Sequence, residues 1–129
     1  MKFYERRHRD MASFLFHGKG VSMDFQYEVK GASLTIYVPR ELDHHVASQI
    51  QARADLAVDT YRIQTVIFDF SETEFMDSSG IGVILGRCRN MGFAGGKVKA
   101  VHLKNERVRK IFSMAGLYKL VEVEEDQDE

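Results

Sequence analysis

Thr65-Val66-Ile67-Phe68-Asp69-Phe70 is a nearly continuous β-branched and aromatic run, the composition of a central strand covered on both faces. Its flanks decide the fold. Upstream, Val46, Ile50, Ala54 and Ala57 recur at i, i+4, i+8 and i+11 on one helical face, and Asp43 is placed to cap that helix. Downstream, after a loop expected over Ser71–Met76, Asp77 can cap a second helix with Ile81, Leu85 and Cys88 as its buried stripe and Gly92 at its end. Gly95-Gly96 turns the chain into Val98–Leu103, another covered strand. Asn105 then starts a third helix with Val108, Ile111, Phe112 and Ala115 on one face, stopped by Gly116 with Leu117 beyond it. Leu120–Val123 reads as a last short strand. At the start, Phe25, Tyr27 and Val29, then Leu34, Ile36 and Val38, alternate around Lys30-Gly31-Ala32, a hairpin closed by Pro39. Strands alternating with helices imply parallel pairing with right-handed crossovers. The fold class is therefore α/β, with a mixed, mostly parallel sheet and an opening β-hairpin.

Length and composition agree with one domain: 129 residues, 44% hydrophobic. With 18 Lys+Arg against 19 Asp+Glu, the net charge of -1 supplies no field for a phosphate backbone, so no nucleic-acid partner is expected. The single cysteine, Cys88, cannot close an intrachain disulfide, and no Cys/His cluster has zinc spacing. Apolar stretches such as Phe14-Leu15-Phe16 fall far short of the ~18 residues of a membrane span, and no secretory pattern follows Lys2, Arg6, Arg7 and Arg9. A cytoplasmic protein with no membrane partner is the expectation. The domain is expected over residues 23–123, where the alternating patterns lie. Residues 1–22 lack periodicity, and purine-rich codons for Gly18-Lys19-Gly20 could place a ribosome-binding site before Met23. They are expected to be disordered or a leader included in the reading frame. The acids that crowd residues 122–129 leave 124–129 as a solvated acidic tail.

Chemistry is concentrated in Phe75-Met76-Asp77-Ser78-Ser79-Gly80-Ile81-Gly82-Val83-Ile84-Leu85-Gly86-Arg87. Two serines in a helical first turn stand where free N–H groups and the helix dipole accept a negative group. The same residues also suit an ordinary capped helix start. Gly82 and Gly86, four apart, could let the helix approach the sheet, since each costs up to about 1 kcal/mol of helix propensity. Neither Gly80-x-Gly82-x-x-x-Gly86 nor Gly96-Lys97-Val98 has nucleotide-binding spacing. His44 and His45 are adjacent and cannot grip one metal as an i, i+4 pair would; they are surface histidines or partner contacts. His102, in an expected strand, is a core or strand-end residue rather than a base. Arg87, Arg89, Arg107, Arg109 and Lys110 form exposed basic helix faces, solvated or turned to an acidic partner. No serine acquires a His and an acid from spacing. No catalytic residue, cofactor or metal is expected.

The segment Met76–Arg87 resembles the phosphorylation-site segment of the anti-anti-sigma factors, which carry the STAS domain, and is most similar to the sporulation branch. Glu41-Leu42-Asp43-His44-His45 resembles that family's entry into its first helix, and Arg109-Lys110-Ile111-Phe112-Ser113-Met114-Ala115-Gly116-Leu117 its third-helix ending. The resemblance covers about residues 24–123. It implies a non-enzymatic partner switch in transcription regulation: the unphosphorylated protein binds an anti-sigma factor that is also a serine kinase and so frees the sigma factor. It implies phosphorylation of Ser79, with Ser78 as the competing site, reversed by a PP2C-type serine phosphatase. Asp43, His44, His45, Asp77, Ser78, Ser79, Gly80 and Gly82 are the partner-binding residues that it implies.

Other readings are a general-stress antagonist of the same family, a phosphoaspartate receiver with Asp69 as acceptor, and a small nucleotide-binding or hydrolytic enzyme. The receiver needs an acidic pair after the first strand, and only Glu41 and Asp43 follow Val38.

Overall fold

In the computed structural model, residues 24–125 are described; the leader expected over 1–22 and the tail residues 126–129 lie outside them. The opening hairpin forms as expected. Strand β1 (Gln26–Lys30) runs antiparallel to β2 (Ser33–Tyr37), with Gly31 at φ 59° in the turn. After β3 (Glu41–Leu42) comes helix α1 (His44–Tyr61), capped by Asp43, whose carboxylate accepts the Val46 N–H. Strand β4 (Thr65–Asp69), strand β5 (Phe75–Met76) and helix α2 (Ser78–Phe93) follow, then β6 (Lys97–Val101), α3 (Glu106–Met114), a 3-10 turn over Leu117–Lys119 and β7 (Glu122–Glu124).

The main sheet has the order β1-β2-β4-β6-β7, parallel from β2 onward. Each crossover steps in the same direction across this sheet. Right-handed crossovers that all step one way place every connecting helix on one face, so among the described residues the helices cover the central strands on one side only, where their apolar runs suggested two. Burial alternates instead. Leu34 and Ile36, Val66 and Phe68, and Val98 and Ala100 are buried in register beneath the helices, whereas Thr35, Ile67 and Lys99, opposite one another on the other face, are half-buried. The core is the layer between that sheet face and the helices, joined by Ile50, Ala54, Ile84, Val108 and Phe112.

Helix α2 turns differently from the expectation. Its buried residues are Gly80, Val83, Ile84, Arg87 and Met91, while Ile81, Leu85 and Cys88 lie half-buried at the margin. Arg87 is thus no part of a basic surface: it is 4% exposed, and its Nη2 meets Asp55 Oδ1 of α1 at 3.3 Å. The helix also runs through Gly92 to Phe93, and the chain reverses at Gly95, φ 79°. Glu122 and Glu124 are exposed but ordered in β7, with Lys97 and Lys99 at 3.5 and 3.1 Å from their carboxylates. Leu120, expected to open that strand, is exposed before it. His102 sits just past β6 with φ 57°, exposed rather than in a covered strand. No helix among the described residues is long and apolar enough to cross a membrane.

Candidate functional site

Two dipeptides that the sequence offered as loop and helix entrance build the site. Glu41-Leu42 and Phe75-Met76 pair as a small parallel sheet, Glu41 opposite Phe75 and Leu42 opposite Met76, and the Asp77 N–H donates to the Leu42 carbonyl at 3.2 Å. The next residue on each side is an aspartate cap and the one after it opens a helix. Asp43 and Asp77 therefore stand in equal register, and α1 and α2 begin side by side. Leu42 and Met76 are buried beneath this junction, so apolar burial holds the two helix starts together.

Both aspartates serve the backbone. Asp77 Oδ1 accepts the Ser79 N–H at 2.8 Å and the Gly80 N–H at 3.3 Å, and Asp43 Oδ1 accepts the Val46 N–H at 3.0 Å. Each cap satisfies first-turn donors that would otherwise lack an intrahelical partner. Ser78 is exposed. Ser79 is half-buried, and its Oγ lies 3.4 Å from Nδ1 of His44 in the first turn of α1. His45 turns the other way, its Nε2 2.9 Å from Asp24 Oδ2 and 3.1 Å from Gln49 Nε2. The structure thus brings Asp43, His44, Asp77, Ser78 and Ser79 to one surface and sends the His45 ring toward the start of the domain.

The glycines divide by what surrounds them. A Cβ on Gly80 would stand 2.5 Å from Met76 Cγ and 2.9 Å from Leu42 Cγ, so Gly80 is what lets α2 close onto the β3–β5 pair. Gly82 and Gly86, read from sequence as packing glycines, have nothing within 4 Å of such a Cβ. Gly82 is exposed two positions beyond Gly80 and keeps the surface beside the serines low.

Next to Ser78 the surface is apolar. Met76, Asp77, Ser78, Ile81, Ile111, Met114 and Ala115 line a shallow groove of about 320 Å³ between the start of α2 and the end of α3. Met114 is 78% exposed and Phe75, one strand residue away, 41%. Sequence reasoning placed Ile111 and Ala115 in the core and gave Met114 no role. The available signal was that a large apolar residue at 114 falls off the helical stripe of Val108, Phe112 and Ala115. Exposed apolar surface rimmed by polar residues marks a contact for another molecule.

Two features of the alternative readings take other parts. Asp69 Oδ1 accepts the N–H of Ser71 at 2.9 Å, closing the turn after β4. No group of three or more His, Cys, Asp or Glu side chains among the described residues is placed to hold a metal ion. Burial raises the Cys88 thiol above its ordinary pKa, which keeps it protonated and unreactive at neutral pH.

A STAS-domain family model matches residues 24–129. The chain is 35% identical over 96 residues to the anti-sigma F factor antagonist of Lysinibacillus sphaericus, an alignment that covers 74% of this chain and 81% of that protein. Among solved structures, the unphosphorylated anti-sigma factor antagonist SpoIIAA superposes with a TM-score of 0.66 at 31% identity, covering 80% of this chain and 89% of the other. The phosphorylated form of SpoIIAA, a Bacillus cell fate determinant, gives 0.66 at 32% identity over 81% and 92%.

Proposed function

The chain belongs to the STAS-domain family, and from that premise we propose that it is an anti-sigma factor antagonist switched by phosphorylation in the first turn of α2. One observation carries the reading: an exposed serine hydroxyl, Ser78, stands on the rim of an apolar groove at the junction of two helix starts. Relatives named as anti-sigma factor antagonists, and a neighbour with a phosphorylated form, support it. In its unmodified form the protein covers the groove of Ile81, Ile111 and Met114 with an apolar segment of an anti-sigma factor, and the sigma factor is released.

The same anti-sigma factor, acting as a serine kinase with its own ATP, ends the complex. Of the two serines, Ser78 is taken as the acceptor, in place of the Ser79 expected from the resemblance, because Ser78 is exposed on the groove and Ser79 is half-buried against His44. A phosphate adds about −1.5 to −2 charges at that rim. The domain tolerates it, since the α2 N-terminus presents positive dipole and donors. The contact does not: the charge stands beside Asp77 and an apolar groove, where burial without a partner costs several kcal/mol or more. A PP2C-type serine phosphatase restores the binding form.

The test mixes the full chain with the purified anti-sigma F factor of Lysinibacillus sphaericus and ATP. The unmodified protein and Ser78→Ala are expected to form a complex, and Ser78→Asp to lose it. Phosphate should map to the serine pair, and Ser79→Ala should still be modified. No complex and no phosphate in any of these mixtures would overturn the reading.

A further inference from the structure

Adjacent serines in one helical turn leave a kinase two hydroxyls within a few ångströms, yet a clean switch uses one. Here they are unequal. The Ser79 Oγ faces the His44 Nδ1 at 3.4 Å, a contact between residues 35 apart that exists because the β3–β5 register sets α1 beside α2. His45 cannot replace His44, since its ring is engaged with Asp24 and Gln49. Ser78, on the outer side of the turn, is exposed at the groove.

We propose that His44 is a specificity-determining residue: its imidazole engages the Ser79 hydroxyl and confines phosphorylation to Ser78. The inference rests on the partner-switch reading above. In the transfer, the serine Oγ attacks the γ-phosphorus of ATP, the new O–P bond forms as the bond to the bridging oxygen breaks, and ADP leaves. The hydroxyl proton passes to the base of the kinase. An acceptor must therefore aim a lone pair outward and hand its proton to the enzyme. A serine whose O–H is donated to Nδ1 of its own domain points its proton the wrong way and must first break that contact and rotate. This donation requires the neutral tautomer that carries its proton on Nε2 and leaves Nδ1 as the acceptor.

The experiment incubates the full-length wild type, His44→Ala and His44→Gln with the Lysinibacillus sphaericus anti-sigma F factor and ATP, and maps phosphate on each serine by mass spectrometry. Wild type is expected to carry it on Ser78. In His44→Ala the share on Ser79 should rise about fivefold, the factor that one net hydrogen bond represents, and His44→Gln, whose amide can still reach the hydroxyl, should restore the preference. A second measurement needs no kinase: the Nδ1 nitrogen resonance of His44 should move in Ser79→Ala. Phosphate on Ser79 in wild type overturns the inference and leaves the switch standing, as does a Ser79 share unchanged in His44→Ala or an Nδ1 resonance unmoved in Ser79→Ala. Absence of phosphate from both serines in every variant overturns the switch and the inference with it.

Discussion

At Gly80 a single missing methyl group decides whether the serine turn can close on its support. A Cβ there meets Met76 Cγ and Leu42, both buried and unable to swing into solvent. Gly80→Ala is expected to cost about 1–3 kcal/mol through overpacking, seen as a lower urea midpoint. Gly82→Ala meets nothing, and the gain in helix propensity should raise stability by up to about 1 kcal/mol while adding bulk beside the serines. Sequence spacing made the two glycines look alike, because spacing records the helix face and not what lies across from it. Tyr27 shows another local effect. Burial, then repulsion from Tyr61, pushes its hydroxyl up from 10.0 to about 12 against a smaller lowering by Arg53. Its folded pKa lies above the unfolded one, so this contribution is complete below pH 10 and is lost as pH rises toward about 12. Alkaline unfolding followed by tyrosinate absorbance should steepen in that window, and Tyr27→Phe should flatten it.

Among the elements, α1 and α2 are joined at their starts by the β3–β5 pair and farther along by Arg87 and Asp55. The second joint is a costly one. Arg87 is buried, and its Nε and Nη1 have no hydrogen-bond partner, whereas Asp55 is half-exposed and shares its charge with water. Desolvation of such a cation can exceed the attraction that it gains. Arg87→Met is therefore expected to leave stability unchanged or raise it by about 1–4 kcal/mol, and Asp55→Asn to lower it, an opposite pair of shifts readable in urea unfolding. The first joint depends on caps. Asp77→Ala removes the acceptor of two N–H groups and should cost about 1 kcal/mol, together with the fixed placement of Ser78.

Across the described domain, the sheet carries α1, α2 and α3 on one face and so gathers the starts of α1 and α2 and the end of α3 around the serine turn. In the proposed switch, a phosphate there would change a surface and not a fold. Ser78→Asp is expected to keep the circular dichroism spectrum and a urea midpoint within about 0.5 kcal/mol of wild type, since an acid in a helical first turn is favourable. In the proposed complex, Ile111→Ala and Met114→Ala should each weaken binding of the anti-sigma F factor about five- to thirtyfold by calorimetry, about 1–2 kcal/mol for a truncated apolar anchor. Met114→Ala, highly exposed in the free protein, should do so without loss of stability.

The alternating and 3.6-residue apolar patterns determined the α/β class, the opening hairpin, three helices with Asp43, Asp77 and Asn105 at their caps, and the serine turn as the place of interest. Those features are encoded locally, by periodicity and capping chemistry. The tertiary structure decided the rest. Among the described residues it set the connecting helices on one sheet face, turned Arg87 inward, and made strands of Glu41-Leu42 and Phe75-Met76, too short to show a period. It set His44 against Ser79 and opened the groove of Ile81, Ile111 and Met114 beside Ser78. Each of these depends on the direction of the crossovers and on a two-residue pairing 34 positions apart, and a pattern read along one segment carries no information about what packs across from it.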